Sequence, residues 1–311
     1  MYSARAKAKR ECKVNRKIKI IAVTIAIVAV VSIAVFLYRP PSQIGNSVYN
    51  ANTGLSYVSI QAAVDAAETK DGHTLIVYPG VYHESLVVNK SLQIIGYDRD
   101  TTIMERGKSS VIIVVIFANE TTFANMTLRN TSNAVFALRL INTRDCSITG
   151  NKVTNLTTGI QLDYSTSCVV EGNEIVNGGL RGIWLFGSND NTITKNTIQE
   201  ANKMMGYGAI NLERSDNNTI IENQVVNNTY AVWFDTSSHN TIVHNNFVNN
   251  TSQVHSGNLP NAWDNGREGN YWSDYTGTDG NGDGIGDIPY IIDSNNSDTQ
   301  PFVRPMSLDD Q

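Results

Sequence analysis

An asparagine that recurs at nearly constant spacing is the feature of this 311-residue chain that most constrains its fold. The recurring residues are Asn151, Asn173, Asn196, Asn223 and Asn245, separated by steps of 22, 23, 27 and 22 residues. A second row lies five residues upstream of the first and consists of Cys146, Cys168, Asn191, Asn218 and Asn240. Repeats of this length indicate stacked units that bury their apolar faces only against their neighbours.

The repeated units are β-strands, because their apolar and polar residues alternate with a period of two. Each unit carries a short strand pattern: GIQL at 159–162, GIWL at 182–185, AINL at 209–212 and AVWF at 231–234. Asn and Gly fill the gaps between strands, and 22–27 residues suit one turn of a parallel β-helix. The sequence therefore predicts an all-β fold, a single-stranded parallel β-helix.

The repeated asparagines are predicted to form a structural ladder. Every coil must turn corners, and Gly and then Asn tolerate the left-handed backbone conformation that some corners require. Stacked side-chain amides can also hydrogen-bond along the stack, each bond contributing about 0.5–1.5 kcal/mol net. The longest step, from Asn196 to Asn223, implies an extra loop, which we place at residues 201–206.

The N-terminal 38 residues read as a membrane anchor. Residues 1–17 are basic, and an apolar stretch follows from Ile18 to Tyr38, which is about 31 Å of helix and enough to span a bilayer. The positive-inside rule makes the tail cytoplasmic and the rest of the chain extracytoplasmic, in a single-pass arrangement at the cell membrane. A cleaved signal peptide is the alternative, but no small-residue cleavage site follows.

The part outside this anchor is acidic. Residues 20–311 keep 16 basic and 28 acidic residues, a formal charge of −12, which argues against nucleic acid as a partner. Cys146 and Cys168 fall at the same position of consecutive coils, where they would form either a disulfide or two stacked thiols. Ten Asn-x-Ser/Thr sequons make some surface glycosylation plausible: Asn89, Asn119, Asn125, Asn130, Asn155, Asn217, Asn227, Asn249, Asn250 and Asn295.

The chain divides into five segments. After the basic tail (1–17) and the transmembrane helix (18–38), we expect a polar linker at 39–54. The β-helix follows at 55–257, beginning with an amphipathic helix from Ser59 to Lys70 that caps its open end. Residues 258–311 are rich in Gly, Asp and Asn and break the repeat.

Several segments resemble known proteins. YVSIQAAVDAA (57–67), LIVYPGVY (75–82) and KSLQIIG (90–96) resemble the opening of pectin-lyase-like right-handed β-helix proteins, and the coils resemble NosD-type repeats of the carbohydrate-binding and sugar-hydrolysis (CASH) domain. GNYWSDY (269–275) with DGNGDGIGDIPY (279–290) is similar to the C-terminal signature of archaeal NosD-like surface proteins. The resemblance implies a right-handed helix at the cell surface. It also implies copper delivery as a possible function, because the family takes its name from a periplasmic factor that assists copper-site assembly.

One outward face is a candidate carbohydrate-binding surface. If Ile160 and Leu162 point inward, the outward column contains Gln161, Trp184, Asn211 and Trp233. A second column beside it contains Arg139, Asp163, Phe186, Glu213 and Asp235, in which Arg139 and Asp163 are expected to form an exposed salt bridge. The two Trp residues, two rungs or about 10 Å apart, would suit successive sugar rings. The alternative is that loops cover this face and that the Trp residues only pack.

Catalysis is a weaker possibility on the same face. Glu213 and Asp235 are expected on adjacent rungs about 5 Å apart, near the carboxyl separation of a retaining glycosidase. Two outward acids are, however, common on an acidic surface. A lyase would need an Arg base beside a calcium-binding cluster, and Arg181 and Arg214 are available.

The sequence offers candidate sites for two metals. Asp279, Asn281, Asp283 and Asp287 match the start of a calcium loop, with Gly284 at the sharp turn, although Tyr290 replaces the last bidentate acid. A plain acidic turn is the alternative. His239 and His244, with His255 nearby, are a candidate copper pair.

Four functions follow. The leading hypothesis is a membrane-anchored surface module that binds polysaccharide or cell-envelope components, or has an architectural role. The alternatives are a glycan hydrolase or lyase, a copper-delivery accessory protein, and a purely structural surface protein.

Overall fold

Three stacked parallel sheets form the body of the molecule. The structure, a computed structural model, describes residues 47–107, 110–130, 136–203 and 205–307. Within these residues each regular coil contributes one strand to each sheet in turn, and these strands pair in parallel with their counterparts in the neighbouring coils. The strands at the two ends of the body pair antiparallel. The prediction of an all-β, right-handed parallel β-helix is confirmed.

The strands of the three sheets are short. The first sheet contains, in spatial order, Ser56–Tyr57, Val48–Asn50, Thr74–Val77, Gln93–Gly96, Thr122–Ala124, Ser147–Thr149, Val169–Glu171, Thr192–Thr194, Thr219–Ile221 and Thr241–Val243. The second contains Gly80–His83, Thr102–Glu105, Thr127–Arg129, Lys152–Thr154, Glu174–Val176, Thr197–Gln199, Gln224–Val226, Asn246–Val248 and Tyr271–Trp272. The third contains Leu86–Val88, Ile112–Ile116, Phe136–Ile141, Thr158–Asp163, Arg181–Phe186, Ile210–Glu213, Tyr230–Asp235 and Ser252–His255.

The core is built from columns of like side chains. In the first sheet Ile148, Val170, Ile193, Ile220 and Ile242 are in register and fully buried. Burying one such aliphatic side chain contributes about 1.5–3 kcal/mol, and the same column forms in each sheet because inward residues alternate with outward ones. The repeat read in the sequence is therefore the repeat of the core.

The left-handed corner residue is the one before each ladder asparagine. Gly150, Gly172, Lys195, Glu222 and His244 all have φ between 56° and 62°. The sequence analysis linked the recurring Asn to this conformation, but the residue that adopts it is its predecessor. The ladder Asn is retained for its buried side chain, whereas the corner position accepts Gly or a long polar residue that reaches solvent.

The N-terminal end differs from the predicted linker. Val48–Asn50 pairs antiparallel with Thr74–Val77 in the first sheet, so 48–50 is a strand, with Val48 buried in the core. The helix is also shorter than expected: it spans Ile60–Asp65, and Ser59 caps it by accepting a hydrogen bond from the amide of Ala62. The carboxylate of Glu84 accepts the amide N–H groups of Ile60 and Gln61, which complements the helix dipole.

The predicted basic tail and transmembrane helix, residues 1–38, lie outside the described residues. Among the residues that are described, no helix is long and apolar enough to cross a bilayer.

The C-terminal segment continues the coils beyond the predicted boundary at residue 257. Tyr271–Trp272 joins the second sheet beside Asn246–Val248, and a two-stranded antiparallel sheet follows, Tyr290–Asp293 with Asn296–Asp298. Trp263 and Trp272 are buried against the last coil: the Trp272 ring stacks on Phe247 at 4.6 Å and on Tyr290 at 4.4 Å between ring centroids. The GNYWSDY segment thus covers the apolar end of the β-helix.

Candidate functional site

The outer face of the third sheet carries the predicted binding residues. Gln161, Trp184, Asn211 and Trp233 are in register on successive rungs, and His255 extends the row. The neighbouring row contains Asp163, Phe186, Glu213 and Asp235 in the predicted order. The period-two pattern places every one of these side chains on the outside of the sheet.

Arg139 does not belong to the row in which the sequence placed it. Its register partner is Gln161, and Ile141 is the partner of Asp163. The guanidinium nevertheless reaches diagonally to the Asp163 carboxylate and forms an ion pair. Asp163 is only 3% exposed, whereas the Arg139 side chain is 33% exposed, so this pair is partly buried and is not the exposed salt bridge expected from the sequence. The amide of Gln161 also donates to Asp163 at 2.6 Å.

Part of this face is covered by its own side chains. The Arg181 guanidinium lies 3.9 Å from the ring centroids of both Trp184 and Tyr207. Burial lowers the pKa of Arg181 from its ordinary value, and Tyr207 and Glu213 oppose this shift. One face of the Trp184 ring is thus occupied by a cation.

The extra loop of the long coil supplies Tyr207, but it begins later than predicted. Ala201 and Asn202 are fully buried, Ala201 in the core and Asn202 against backbone carbonyls. The exposed part starts at Lys203 and includes Met205 and Gly206. Ala201 occupies an inward position, which explains why the loop cannot protrude there. The amide of Gly208 then donates to Asn211, which returns the chain to the sheet.

The second tryptophan is also partly covered. His255 stacks on Trp233 with 3.8 Å between ring centroids, and Tyr230 meets the ring edge-on at 5.0 Å. Both Trp residues are half-buried. The structure therefore brings the predicted carbohydrate-binding residues together on one face, but buries Gln161 and Asn211 beneath their neighbours.

Next to the tryptophans lies an exposed strip formed by Tyr164, Phe186, Arg214 and Asp235. Tyr164 is 59% exposed and meets Phe186 edge-on at 5.3 Å, while Arg214 lies over the Phe186 ring at 5.5 Å. Strand periodicity does not predict Tyr164 as a member of this face, because the residue follows the strand at a left-handed corner (φ 48°). Its position directly after Asp163 was the available signal.

Glu213 and Asp235 are direct register partners on adjacent rungs, as predicted. Glu213 is half-buried and Asp235 is exposed. Arg214 follows Glu213 in the chain and has its guanidinium over Phe186, so positive charge lies close to this pair. The arrangement gives two carboxylates on an open surface, beside aromatic rings.

Beneath the surface, the recurring asparagines form a continuous ladder. The backbone N–H and side-chain amide of Asn151 both donate to the Oδ1 atom of Asn173, at 2.9 and 3.1 Å. The same pair of hydrogen bonds joins Asn173 to Asn196, Asn196 to Asn223, and Asn223 to Asn245. All five are buried, so these bonds hold adjacent coils in register.

Each asparagine ladder ends near a carboxylate. The first continues from Asn245 to Asn270 and ends at Asp298, which accepts the Asn270 N–H at 2.7 Å and the Trp272 indole N–H at 2.9 Å. The second runs through Asn191, Asn218, Asn240 and Asn261 to Asn296, whose side-chain amide donates to Asp293. A third, from Asn228 to Asn250, passes through Gln253 to Asp274. A carboxylate suits an end because it accepts hydrogen bonds and has none to donate onward.

The cysteines occupy ladder positions in the first coils of the second row. Cys146 and Cys168 are both free thiols and both buried. The hydrogen bond between the two thiols, followed by burial, raises the pKa of the Cys168 thiol, and the same hydrogen bond lowers the pKa of Cys146. The backbone N–H of Cys168 donates to the Oδ1 atom of Asn191, so the second ladder begins directly after the two cysteines.

The predicted calcium loop folds around the carboxylate of Asp279. This carboxylate accepts the amide N–H groups of Gly282 and Gly284, at 2.7 and 2.9 Å, while Asp287 accepts the N–H of Gly280. Asn281 donates to Asp283. Nowhere in the described residues do three or more His, Cys, Asp or Glu side chains group so as to hold a metal ion. Calcium binding at this loop stays a prediction.

The histidines predicted to bind copper have separate partners. His239 contacts the Ser238 hydroxyl at 2.9 Å, and His244 contacts the Glu268 carboxylate at 2.9 Å. His255 is stacked on Trp233. Copper binding by His239 and His244 therefore also stays a prediction.

Known proteins with related sequences or folds fit this architecture. A cell surface glycoprotein of Methanothermus fervidus is 26% identical over 212 residues, covering 58% of this chain and 35% of the relative, so the chain spans about a third of that relative's length. Among solved structures, the A-module of the mannuronan C-5 epimerase AlgE6 of Azotobacter vinelandii has a TM-score of 0.44 and 15% identity, over 68% of this chain and 81% of that one. The pectin methylesterase PemA of Erwinia chrysanthemi has a TM-score of 0.37 and 12% identity, over 60% and 78%.

The family model described as "Periplasmic copper-binding protein (NosD)" matches residues 68–277. This range contains the third-sheet face and nearly all of the first asparagine ladder. Since the match extends over more than half of the sequence, the chain belongs to the NosD family.

Proposed function

We propose that this chain is an extracytoplasmic surface protein that contacts polysaccharide through the outer face of its third sheet. The observation that carries the proposal is the row of aromatic residues beside the exposed strip of Tyr164, Phe186, Arg214 and Asp235. Its relative's description as a cell surface glycoprotein supports the surface placement.

The exposed strip offers the chemistry that sugars require. Aromatic rings stack on the apolar faces of sugar rings, and carboxylate and guanidinium groups hydrogen-bond to hydroxyl groups at their rim. Trp184 and Trp233 are each covered on one side, so they contribute mainly through their exposed edges. Tyr164, at 59% exposed, is the most open aromatic side chain of this group. The asparagine ladders at the corners of the coils hold the backbone in register, so binding would order little of the protein.

We also propose that the apolar stretch from Ile18 to Tyr38 anchors the chain in a membrane, on the strength of its length and its basic flank. The helix Ile60–Asp65, with Ile60, Ala63 and Val64 buried, would then close the end of the β-helix that follows the anchor. Extraction of membranes with alkaline carbonate tests this: an integral anchor keeps the chain in the pellet, and release into the supernatant contradicts it.

Affinity electrophoresis of the purified full-length chain through gels containing acidic or neutral polysaccharides tests the binding proposal. We expect at least one polysaccharide to retard the chain, and Tyr164→Ala combined with Trp233→Ala to weaken the retardation by about tenfold in apparent Kd, equivalent to about 1.4 kcal/mol. Val58→Ala combined with Ile291→Ala, which removes exposed apolar groups elsewhere, is the matched control. Equal retardation of both double variants, or no retardation by any polysaccharide, would contradict the proposal.

A glycan hydrolase is the second candidate, favoured by the register pairing of Glu213 with Asp235. Adjacent rungs lie about 4.8 Å apart, close to the spacing of a retaining pair. Incubation with the same polysaccharides and measurement of new reducing ends tests it. Release of reducing ends that is lost in Glu213→Gln would establish the enzyme, and an unchanged Glu213→Gln would rule out this pair.

Calcium binding at the Asp279 loop is a secondary proposal. The Gly284 N–H bond to Asp279 leaves lone pairs on the carboxylate, and Asp283 and Asp287 lie in the same loop. We expect calcium to raise the Tm over that in a chelator, and Asp283→Asn to remove the difference. An unchanged Tm in the native chain would favour a plain acidic turn.

A further inference from the structure

The sequons fall into two structural groups. The side-chain amide of Asn125 donates to the Gly96 carbonyl at 2.7 Å, that of Asn250 to Val225 at 3.0 Å, and that of Asn295 to Asn258 at 2.9 Å. Asn119 is half-buried, and the hydroxyl of its sequon partner Thr121 is bonded to backbone carbonyls. A glycan on these nitrogens would break bonds of the fold or lack room.

The second group is exposed and consists of Asn89, Asn155, Asn217, Asn227 and Asn249. Within the part of the chain that the structure covers, their side-chain amides make no hydrogen bond. Four of them have positive φ: 58° for Asn155, 59° for Asn217, 56° for Asn227 and 52° for Asn249. At these four left-handed corners the Asn side chain is exposed and lies between two strands rather than along a sheet. The sequon at Asn130 runs into residues outside the description.

The exposed sequons share two corners of the coil. Asn155, Asn227 and Asn249 lie between a strand of the second sheet and the next strand of the third. Asn89 and Asn217 lie between the third sheet and the first. The corner between the first and second sheets carries only Asn125 among these sequons, and its amide is bonded. The two corners with exposed sequons are therefore the two that border the third sheet.

We propose that Asn89, Asn155, Asn217, Asn227 and Asn249 are N-glycosylated, so that glycans line both borders of the third sheet and leave the first-to-second corner bare. The co-reactant is an oligosaccharide activated as a lipid-linked phosphate. The Nδ2 atom of Asn forms a bond to the anomeric carbon and loses a proton, while the bond from that carbon to the phosphate oxygen breaks and the lipid phosphate leaves with the electron pair. The inference rests on the proposed extracytoplasmic placement and is independent of polysaccharide binding.

Intact-glycopeptide mass spectrometry tests this on the full-length chain, purified from a host that modifies Asn-x-Ser/Thr sequons on the outer side of its membrane. We expect glycan on the five exposed Asn residues, and none on Asn119, Asn125, Asn250 or Asn295. Thr229→Ala should remove the glycan from Asn227 while the Asn remains, and Thr229→Ser, the matched control, should keep it.

A glycan on Asn125 or Asn250, or unmodified residues at the five exposed positions, would overturn the proposal. Protease added to intact cells of the same host shows whether a chain without glycan failed to be modified or failed to reach the cell surface. A chain that the protease cleaves but that carries no glycan overturns the glycosylation inference alone. A chain that is both protected and unmodified overturns the surface placement, and the inference with it.

Discussion

Asparagine serves two opposite purposes in this chain, and single-residue geometry separates them. Asn196 and its ladder partners are buried, and their side chains are bonded to the coils on either side. Asn155 and Asn227 sit at exposed left-handed corners, where the backbone conformation is what Asn tolerates. Composition alone cannot tell these roles apart, but their positions in the repeat can.

Asn196→Ala should be among the most destabilising substitutions of a polar residue. It removes the acceptor of the buried backbone N–H of Asn173 and one of the acceptors of the Asn173 side-chain amide, which keeps the carbonyls of Ile148 and Glu171. We expect the free energy of unfolding to fall by about 3 kcal/mol, as measured by urea denaturation. Asn89→Ala, at an exposed position whose φ is not positive, is the control and should change it by less than about 0.5 kcal/mol. Similar losses in both variants would argue against the ladder's role.

Asp298 should make stability depend on pH. Burial raises its pKa from 3.8 to about 6, although hydrogen bonds from Trp272 and Asn270 act in the opposite direction. Because the folded state holds the proton more tightly, this group's contribution to the free energy of unfolding is complete below pH 3.8 and is lost as pH rises through 6. Between pH 4 and pH 7 the unfolding free energy of Asp298→Asn should therefore fall by about 2 kcal/mol less than that of the native chain.

Urea denaturation at the two pH values measures this change. Asp65→Asn, which alters an exposed carboxylate on the N-terminal helix, is the comparison and should leave the pH dependence nearly unchanged. An Asp298→Asn variant with the native pH dependence would show that the buried carboxyl group does not titrate in this range.

At the scale of elements, the strands were predictable from the sequence, but the side chains that pack over their outer face were not. The strand patterns at 159–162 and 182–185 lie within the strands Thr158–Asp163 and Arg181–Phe186, and alternation predicted the register of Trp184 with Asn211 and Trp233. It did not predict that Arg181 would lie between Trp184 and Tyr207. Side chains from different coils make that contact, and a periodic pattern carries no information about contacts between loops and sheets.

The ends of the β-helix were the least predictable elements. The sequence analysis ended the coils at residue 257, because the spacing of Asn changes there and Gly and Asp become frequent. In the structure the ladder continues through Asn270 to Asp298, carried by a longer connection than in any regular coil. A ladder position filled by Asp has no signature in an Asn repeat, so the closing residue could not be recognised from the sequence.

The C-terminal cover should contribute a large share of the stability of the last coils. Trp272 is 1% exposed, stacks on both Phe247 and Tyr290, and donates its indole N–H to Asp298. We expect Trp272→Ala to lower the free energy of unfolding by about 3–5 kcal/mol, because it opens a cavity and exposes Phe247. Trp272→Phe keeps an aromatic ring and should lose less. A loss in Trp272→Ala as small as that in Trp272→Phe would show that the ring stack matters little.

In the described body as a whole, stacking means that the structural effect of a substitution weakens with distance along the axis of the β-helix. Each coil pairs only with the coils before and after it, so coupling between distant coils passes through every coil between them. Such a body has no single centre on which all of its strands depend.

Hydrogen exchange should reveal this decay. In Trp272→Ala we expect faster amide exchange in Asn246–Val248 and Ser252–His255, and native rates in Gln93–Gly96 near the other end. Mass spectrometry of peptic fragments measures both regions in one experiment. Equal acceleration at both ends would mean that the body unfolds only as one cooperative unit.

The ladders also give the molecule a direction in which it can lengthen. From one ladder side chain to the next, the hydrogen bonds are donated toward the C-terminus, and the series ends at the carboxylates of Asp298, Asp293 and Asp274, which have no N–H to donate. An Asn in a further coil appended after these carboxylates would have no ladder N–H group to accept hydrogen bonds from. A coil duplicated inside the stack, such as residues 151–172, would inherit a donor on one side and an acceptor on the other. Length in this architecture can therefore vary by internal duplication, while the terminus stays as it is.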